Sequence, residues 1–261
     1  MYEWIEKNEV DFISTGIDKL DSLLEGGIPK GFFTLILGVP GSGFEILIKQ
    51  IASNGNTLLF STCETEEEIM STMKRFGWNP ENLEIVDIAS EYAKRTLLVH
   101  GKRSSSYQRR IDLDLKELIA ECSGGKPVEK GEEEDFLNML SKRFTDSRIP
   151  EKTIVHSLDF FLDQYQQSEI IKTLHIMKMS NMKKKGAVFV SLTKGVCGEL
   201  FERKMESIAD CVLELEVIRK GTSFDRYLAV KKMKNYARKI GVARYIIDES
   251  GFVLETVERI L

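Results

Sequence analysis

Short apolar runs with two-residue alternation, each bounded by glycine or charge, recur along the chain at Phe33–Leu37, Thr57–Ser61, Leu83–Val86, Thr153–His156 and Ala187–Leu192. That period belongs to strands. Between them the apolar spacing changes to that of amphipathic helices, over Glu45–Ser53, Glu66–Phe76 and Ser168–Lys184, the last with Ile170, Ile171, Leu174 and Met177 on one face. Strands alternating with helices predict an α/β fold, a largely parallel sheet flanked by helices on both sides. After Asp210 the texture turns to closely spaced strands, Cys211–Ile218, Arg226–Lys231, Ala243–Ile247 and Phe252–Leu254. The turn signals Arg219-Lys220-Gly221 and Asp248-Glu249-Ser250-Gly251 separate them. These predict an antiparallel C-terminal extension of the sheet. Residues 93–150 fit neither pattern. They open basic, with Lys94, Arg95, Lys102, Arg103, Arg109 and Arg110, and turn acidic around Glu132-Glu133-Glu134-Asp135. The expectation is one domain over residues 1–261 with a partly helical insertion at 93–150, mobile between Ser123 and Glu134.

Composition narrows the class without changing this outline. With 261 residues, 42% hydrophobic and 30% charged, the chain can bury a sizeable core. No apolar run approaches the roughly 18 residues of a membrane span, and MYEWIEKNEVDF lacks the pattern of a secretory signal, so the expected location is the cytoplasm, with no membrane partner. Cys63, Cys122, Cys197 and Cys211 form no CxxC pair, and no zinc or other metal site is expected; Cys63 and Cys211, beside apolar runs, read as small core residues. A formal net charge of −4 disfavours a surface coated with nucleic acid. The basic run from Lys94 to Arg110 and the triplet Lys183-Lys184-Lys185 read as solvated charge, because no aromatic residues interleave with them in the way of a nucleic-acid platform.

The candidate chemistry lies where the strand Phe33–Leu37 runs through Gly38-Val39-Pro40-Gly41-Ser42-Gly43 into a helix. This is the context of a phosphate-binding loop, in which backbone N–H groups converge on an anion at the positive end of the helix. A Walker A loop continues with Lys and then Ser or Thr. Here Phe44 and Glu45 hold those two positions.

Together with Ser14-Thr15-Gly16-Ile17-Asp18-Lys19-Leu20-Asp21-Ser22-Leu23-Leu24 and Gly26-Gly27-Ile28-Pro29-Lys30-Gly31, this loop resembles the KaiC/RadA branch of the RecA-like superfamily. Met73-Lys74-Arg75-Phe76-Gly77-Trp78, Ser207-Ile208-Ala209-Asp210 and Arg226–Met233 extend the resemblance along the chain outside 93–150. It implies a RecA-like P-loop domain. It also marks where the chain departs from the family's chemistry. Phe44 cannot neutralise the β- and γ-phosphates, and Glu45 offers no hydroxyl to Mg²⁺ and adds a negative charge. One charge pair at about 4 Å in an effective dielectric of about 20 is worth roughly 4 kcal/mol, against roughly 8 kcal/mol for micromolar binding, so both changes weigh heavily. In Thr153-Ile154-Val155-His156-Ser157-Leu158, which resembles the Walker B strand, His156 stands at the metal-associated carboxylate and Ser157 follows it; Asp159 is a weak substitute. In Ser61-Thr62-Cys63-Glu64-Thr65, Cys63 takes one of the family's two glutamate positions and Glu64 remains as a remnant.

For each departure two fates stay open. Phe44 either lines an apolar ligand pocket or packs into the vacated lysine channel. Glu45 either imitates a bound phosphate or is a first-turn acid favoured by the helix dipole and Lys49 four residues on. His156 is either a pH-sensitive site residue or a satisfied histidine at a strand end. Lys232 and Lys234 resemble the Lys-x-Arg pair with which the family reaches a neighbouring subunit's nucleotide, with lysine in place of the arginine, and otherwise lie on a solvated strand face. The expectation is a catalytically inactive protein with no required cofactor. It leaves room for weak ATP or ADP binding and predicts a role through a protein or peptide partner, with a homo-oligomer left open. Two alternatives are a weak ATPase completed across a subunit interface by Lys232, Lys234 or Lys194, and a DNA-repair accessory protein.

Overall fold

A computed structural model of the protein describes residues 11–97, 135–145, 150–236 and 241–255. Strands β1 (Phe12–Ile13) and β2 (Ile28–Pro29) pair antiparallel around helix α1 (Asp18–Leu23). There follow β3 (Phe33–Gly38), α2 (Phe44–Ala52), β4 (Asn56–Ser61), α3 (Glu66–Arg75) and β5 (Asn82–Asp87). A helical segment at 88–97 leads away from β5. Then come α4 (Phe136–Thr145), β6 (Lys152–His156), α5 (Leu158–Gln164), α6 (Gln167–Lys184), β7 (Ala187–Thr193) and α7 (Glu199–Ile208). Strands β8 (Cys211–Lys220), β9 (Ser223–Met233), β10 (Gly241–Asp248) and β11 (Gly251–Leu254) complete the described chain.

Among the described residues, nine strands form one sheet in the order β11-β10-β9-β8-β3-β7-β6-β4-β5. From β8 to β5 neighbours run parallel, and from β8 outward through β11 they run antiparallel, as the two textures of the sequence require. Strict alternation divides the core in two. Ile36, Leu59, Ile154 and Phe189 face α2, α3 and the C-terminal strands. Leu35, Phe60, Val155 and Val190, one residue along in each strand, face α4, α5, α6 and α7. Each such side chain, once buried, contributes about 1.5–3 kcal/mol, so a one-residue slip of a central strand is strongly disfavoured. β3 lies between β7 and β8 at the centre of this sheet, which fixes the start of the loop that follows it.

Helix α4 falls inside the 93–150 stretch and packs Phe136, Leu137, Leu140 and Phe144 into the second core layer, while Lys184 and Ser180 of α6 donate to Phe144 O. The stretch from Ser123 to Glu134 and the basic residues Lys102, Arg103, Arg109 and Arg110 lie outside the described residues, as does Cys122. Cys211 is buried as expected, whereas Cys63 is exposed, because it lies two residues past Ser61, the last paired residue of β4.

The opening motif shapes the β1–α1–β2 unit. Asp21 Oδ1 accepts from Thr15 N–H at 2.8 Å and Thr15 Oγ1 at 2.7 Å, and Oδ2 from Ser14 Oγ at 2.6 Å. Gly27, at φ +108, has no room for a side chain, since a Cβ there would sit 2.5 Å from Ile13 O.

Candidate functional site

The loop between β3 and α2 is tied at each step. Gly38 O accepts from Lys194 N–H at 3.0 Å, Val39 N–H donates to Leu215 O at 3.3 Å and Ser42 N–H donates to Val39 O at 3.0 Å. Gly43, left-handed at φ 78, caps α2, whose first residues are therefore Phe44 and Glu45. The Phe44 ring folds back over the start of the loop, so that a Cβ on Gly38 would lie 2.4 Å from Phe44 Cδ1. The same ring meets the His156 imidazole edge-on, with centroids 5.8 Å apart. An aromatic contact thus bridges the loop after β3 and the end of β6. These contacts leave Phe44 half-buried.

Lys49 does not pair with Glu45. Its Nζ donates to both carboxylate oxygens of Glu64, at 2.6 and 2.7 Å, with the lysine side chain only 3% exposed. The cause is visible in α2, where Lys49 sits among buried Ile46, Leu47, Ile48, Ile51 and Ala52 and must bring its ammonium to a carboxylate inside the fold. Glu64 comes within reach because Ser61 Oγ donates to its backbone O at 2.5 Å, curling the segment after β4.

His156 is buried at the end of β6. Its Nδ1 lies 2.9 Å from Ser191 Oγ and its Nε2 lies 3.9 Å from Glu64 Oε2. Burial, reinforced by the nearby Lys49 charge and opposed by Asp159, pushes its pKa down to about 4, so at neutral pH the imidazole is uncharged. Asp159 is engaged elsewhere. It accepts from Thr193 Oγ1 at 2.8 Å, from Thr193 N–H at 3.2 Å, and from Ser157 Oγ, which also caps α5.

Lys194, just past β7, is paired with Glu214 and, at 2.7 Å, with Glu216, and those hydrogen bonds push its pKa up. Lys232 Nζ donates to Glu206 O at 2.8 Å and Ser207 O at 3.1 Å, capping the end of α7, and Lys234 lies 3.7 Å from Asp210. Lys232 lies in β9 and Lys234 just past its end, beside the start of β8 and at the opposite end of the sheet from the loop. The structure therefore brings Phe44, His156 and Glu64 together, with Lys49 and Ser191 added, and places Lys232 and Lys234 elsewhere. A lysine in an otherwise apolar helix run was the sequence signal for Lys49; Ser191, buried within β7, carried none.

Fold and loop define a RecA-like P-loop α/β protein. The family description "ATPase: KaiC" fits residues 13–258, and the chain belongs to that family. It is 35% identical over 249 residues to the circadian clock oscillator protein KaiC of Thermostichus vulcanus, a match covering 92% of this chain and 43% of that one. It is also 41% identical over 85 residues to the DNA repair protein RadA of Aquifex aeolicus, 31% of this chain and 19% of that one. The chain thus spans less than half the length of either relative. Among solved structures, a KaiC-like protein from Pyrococcus horikoshii OT3 shares the fold with a TM-score of 0.64 at 16% identity, covering 95% of this chain and all of that one. Among the described residues, no helix is long and apolar enough to cross a membrane.

Proposed function

We propose that this KaiC-family protein does not hydrolyse ATP and acts as a binding, scaffold or regulatory protein whose nucleotide site is filled by its own side chains. The observation that carries the reading is the Phe44 ring lodged between Gly38 and His156, in the space where a phosphate-loop lysine would extend. The donor set does not fit a magnesium nucleotide. Phe44 and Glu45 supply neither cation nor hydroxyl, and His156 is neutral at pH 7 and turned to Ser191. Glu64, the carboxylate that resembles a catalytic one, is neutralised by Lys49 within the fold. Both of its oxygens already accept from the Lys49 ammonium.

The test is calorimetry with Mg-ATP on the intact chain and on Phe44→Lys/Glu45→Thr. The wild-type chain is expected to show no micromolar binding, and the double variant to gain at least about tenfold in affinity, because a cation returns to the phosphates and an anion leaves. Micromolar binding by the wild-type chain, or no gain from the double change, overturns the reading.

A further inference from the structure

The phosphate loop is gripped from its outer side by the C-terminal antiparallel strands. Arg226 of β9 donates from Nε to Gly41 O at 3.3 Å. Tyr245 of β10 donates its hydroxyl to Ser42 O at 2.6 Å. Ile247, two residues along the same strand, packs on Gly43 so closely that a Cβ there would lie 2.0 Å from its Cδ1. Three consecutive loop residues are therefore each held by a different side chain of the extension. The grip continues along the helix. Tyr245 stacks on Phe252 of β11 with centroids 4.2 Å apart, and Phe252 N–H donates to Gln50 Oε1 near the end of α2 at 2.7 Å. The β10–β11 hairpin thus holds the loop–helix unit at both ends.

The two hydrogen bonds among these contacts use the loop's carbonyl oxygens rather than its amides. In a loop shaped by an anion the reverse holds, since the converging N–H groups are the ones engaged. We propose that Arg226, Tyr245 and Ile247 form a latch that keeps residues 41–43 in a phosphate-loop conformation without any ligand, with Tyr245 as the principal positioning residue. Burial holds the Tyr245 hydroxyl protonated, which keeps it a donor across the whole neutral range. The stack on Phe252 fixes the direction of that donor. The latch is a property of the free chain and is independent of whether the loop binds or hydrolyses a nucleotide.

Native-state hydrogen exchange on the whole chain, without nucleotide, tests it. The reporters are the amides of Ser42, bonded to Val39 O, and of Ile46 and Leu47, bonded to Gly43 O, because all three need the loop in place. Tyr245→Phe keeps the ring stack and removes only the hydroxyl; it should speed exchange of the reporters about fivefold or more while the amides of central β3 exchange as before. Arg226→Gln, on the half-buried side of the loop, should act in the same direction by a smaller factor and decides the matter if Tyr245→Phe does not fold. Reporters unaffected in a folded Tyr245→Phe or Arg226→Gln chain would overturn the latch.

Discussion

The segments 14–31 and 38–45 are both punctuated by glycine, and both carry the likeness to the KaiC family, yet they satisfy their polar groups differently. In the first, the pattern's partners lie inside the chain. Asp21 takes three hydrogen bonds from Ser14 and Thr15, and Gly27 makes room for Ile13 O. In the second, a phosphate loop's usual partners are ligands, and the two positions that would meet them hold Phe44 and Glu45. The first set therefore stabilises the fold directly. In the second, the loop's own ties run to Lys194, Leu215, Arg226 and Tyr245. A change at position 44 or 45 therefore alters chemistry while leaving the architecture standing.

The largest expected effect falls in the first segment. Asp21→Ala should cost about 3 kcal/mol by removing a carboxylate that accepts from a backbone amide and two hydroxyls, read as a lower urea midpoint. Glu45→Ala should stay within about 0.5 kcal/mol. If the two substitutions cost the same, the contrast between the segments fails.

Gly43→Ala comes next, at about 2 kcal/mol, since it adds a Cβ at φ +78 that would lie 2.0 Å from Ile247 Cδ1. Adding Ile247→Ala should recover the part due to the clash and leave about 1 kcal/mol of backbone strain. Recovery of all or none of the loss in thermal unfolding would show that the two causes are misassigned.

An effect of a different kind concerns pH. The pKa of His156 is lowered from 6.5 to about 4, so the unfolded chain binds a proton there before the folded one does. The contribution of the neutral imidazole is complete above pH 6.5 and is lost as pH falls toward about 4. Across that window, stability of the wild-type chain minus that of His156→Asn should fall with falling pH. Lys49→Met should raise the histidine's pKa, followed by NMR, because it removes a nearby positive charge. A flat stability difference would mean that His156 is not buried neutral.

Much of the fold was legible before the structure. Short apolar runs such as Phe33–Leu37 and Ala187–Leu192, bounded by glycine or charge, have the length of central strands buried on both faces, and the observed strands extend them by a residue. Strand β9 begins three residues before Arg226 because β8 and β9 continue pairing to the hairpin turn, through Ser223, Phe224 and Asp225, where a lone exposed Phe224 between polar neighbours makes no apolar run. Helices α5 and α7 were missed. They are short, and the burial of Phe161, Phe201 and Met205 depends on the second core layer that only the assembled sheet supplies. At the site, the loop and the positions of Phe44, His156 and Glu64 were readable from the motif. The partner of Lys49 was not, because helical spacing offers it Glu45, and only the folded chain brings Glu64 to 2.6 Å.

The most direct test of the central claim is Mg²⁺-dependent ATP turnover by the purified chain, measured beside Glu64→Gln. The account predicts that both preparations match the protein-free background, because Phe44, Glu45 and His156 leave the phosphates and the metal without their usual partners and Lys49 already holds Glu64. Turnover by the wild-type chain that disappears in Glu64→Gln would contradict it.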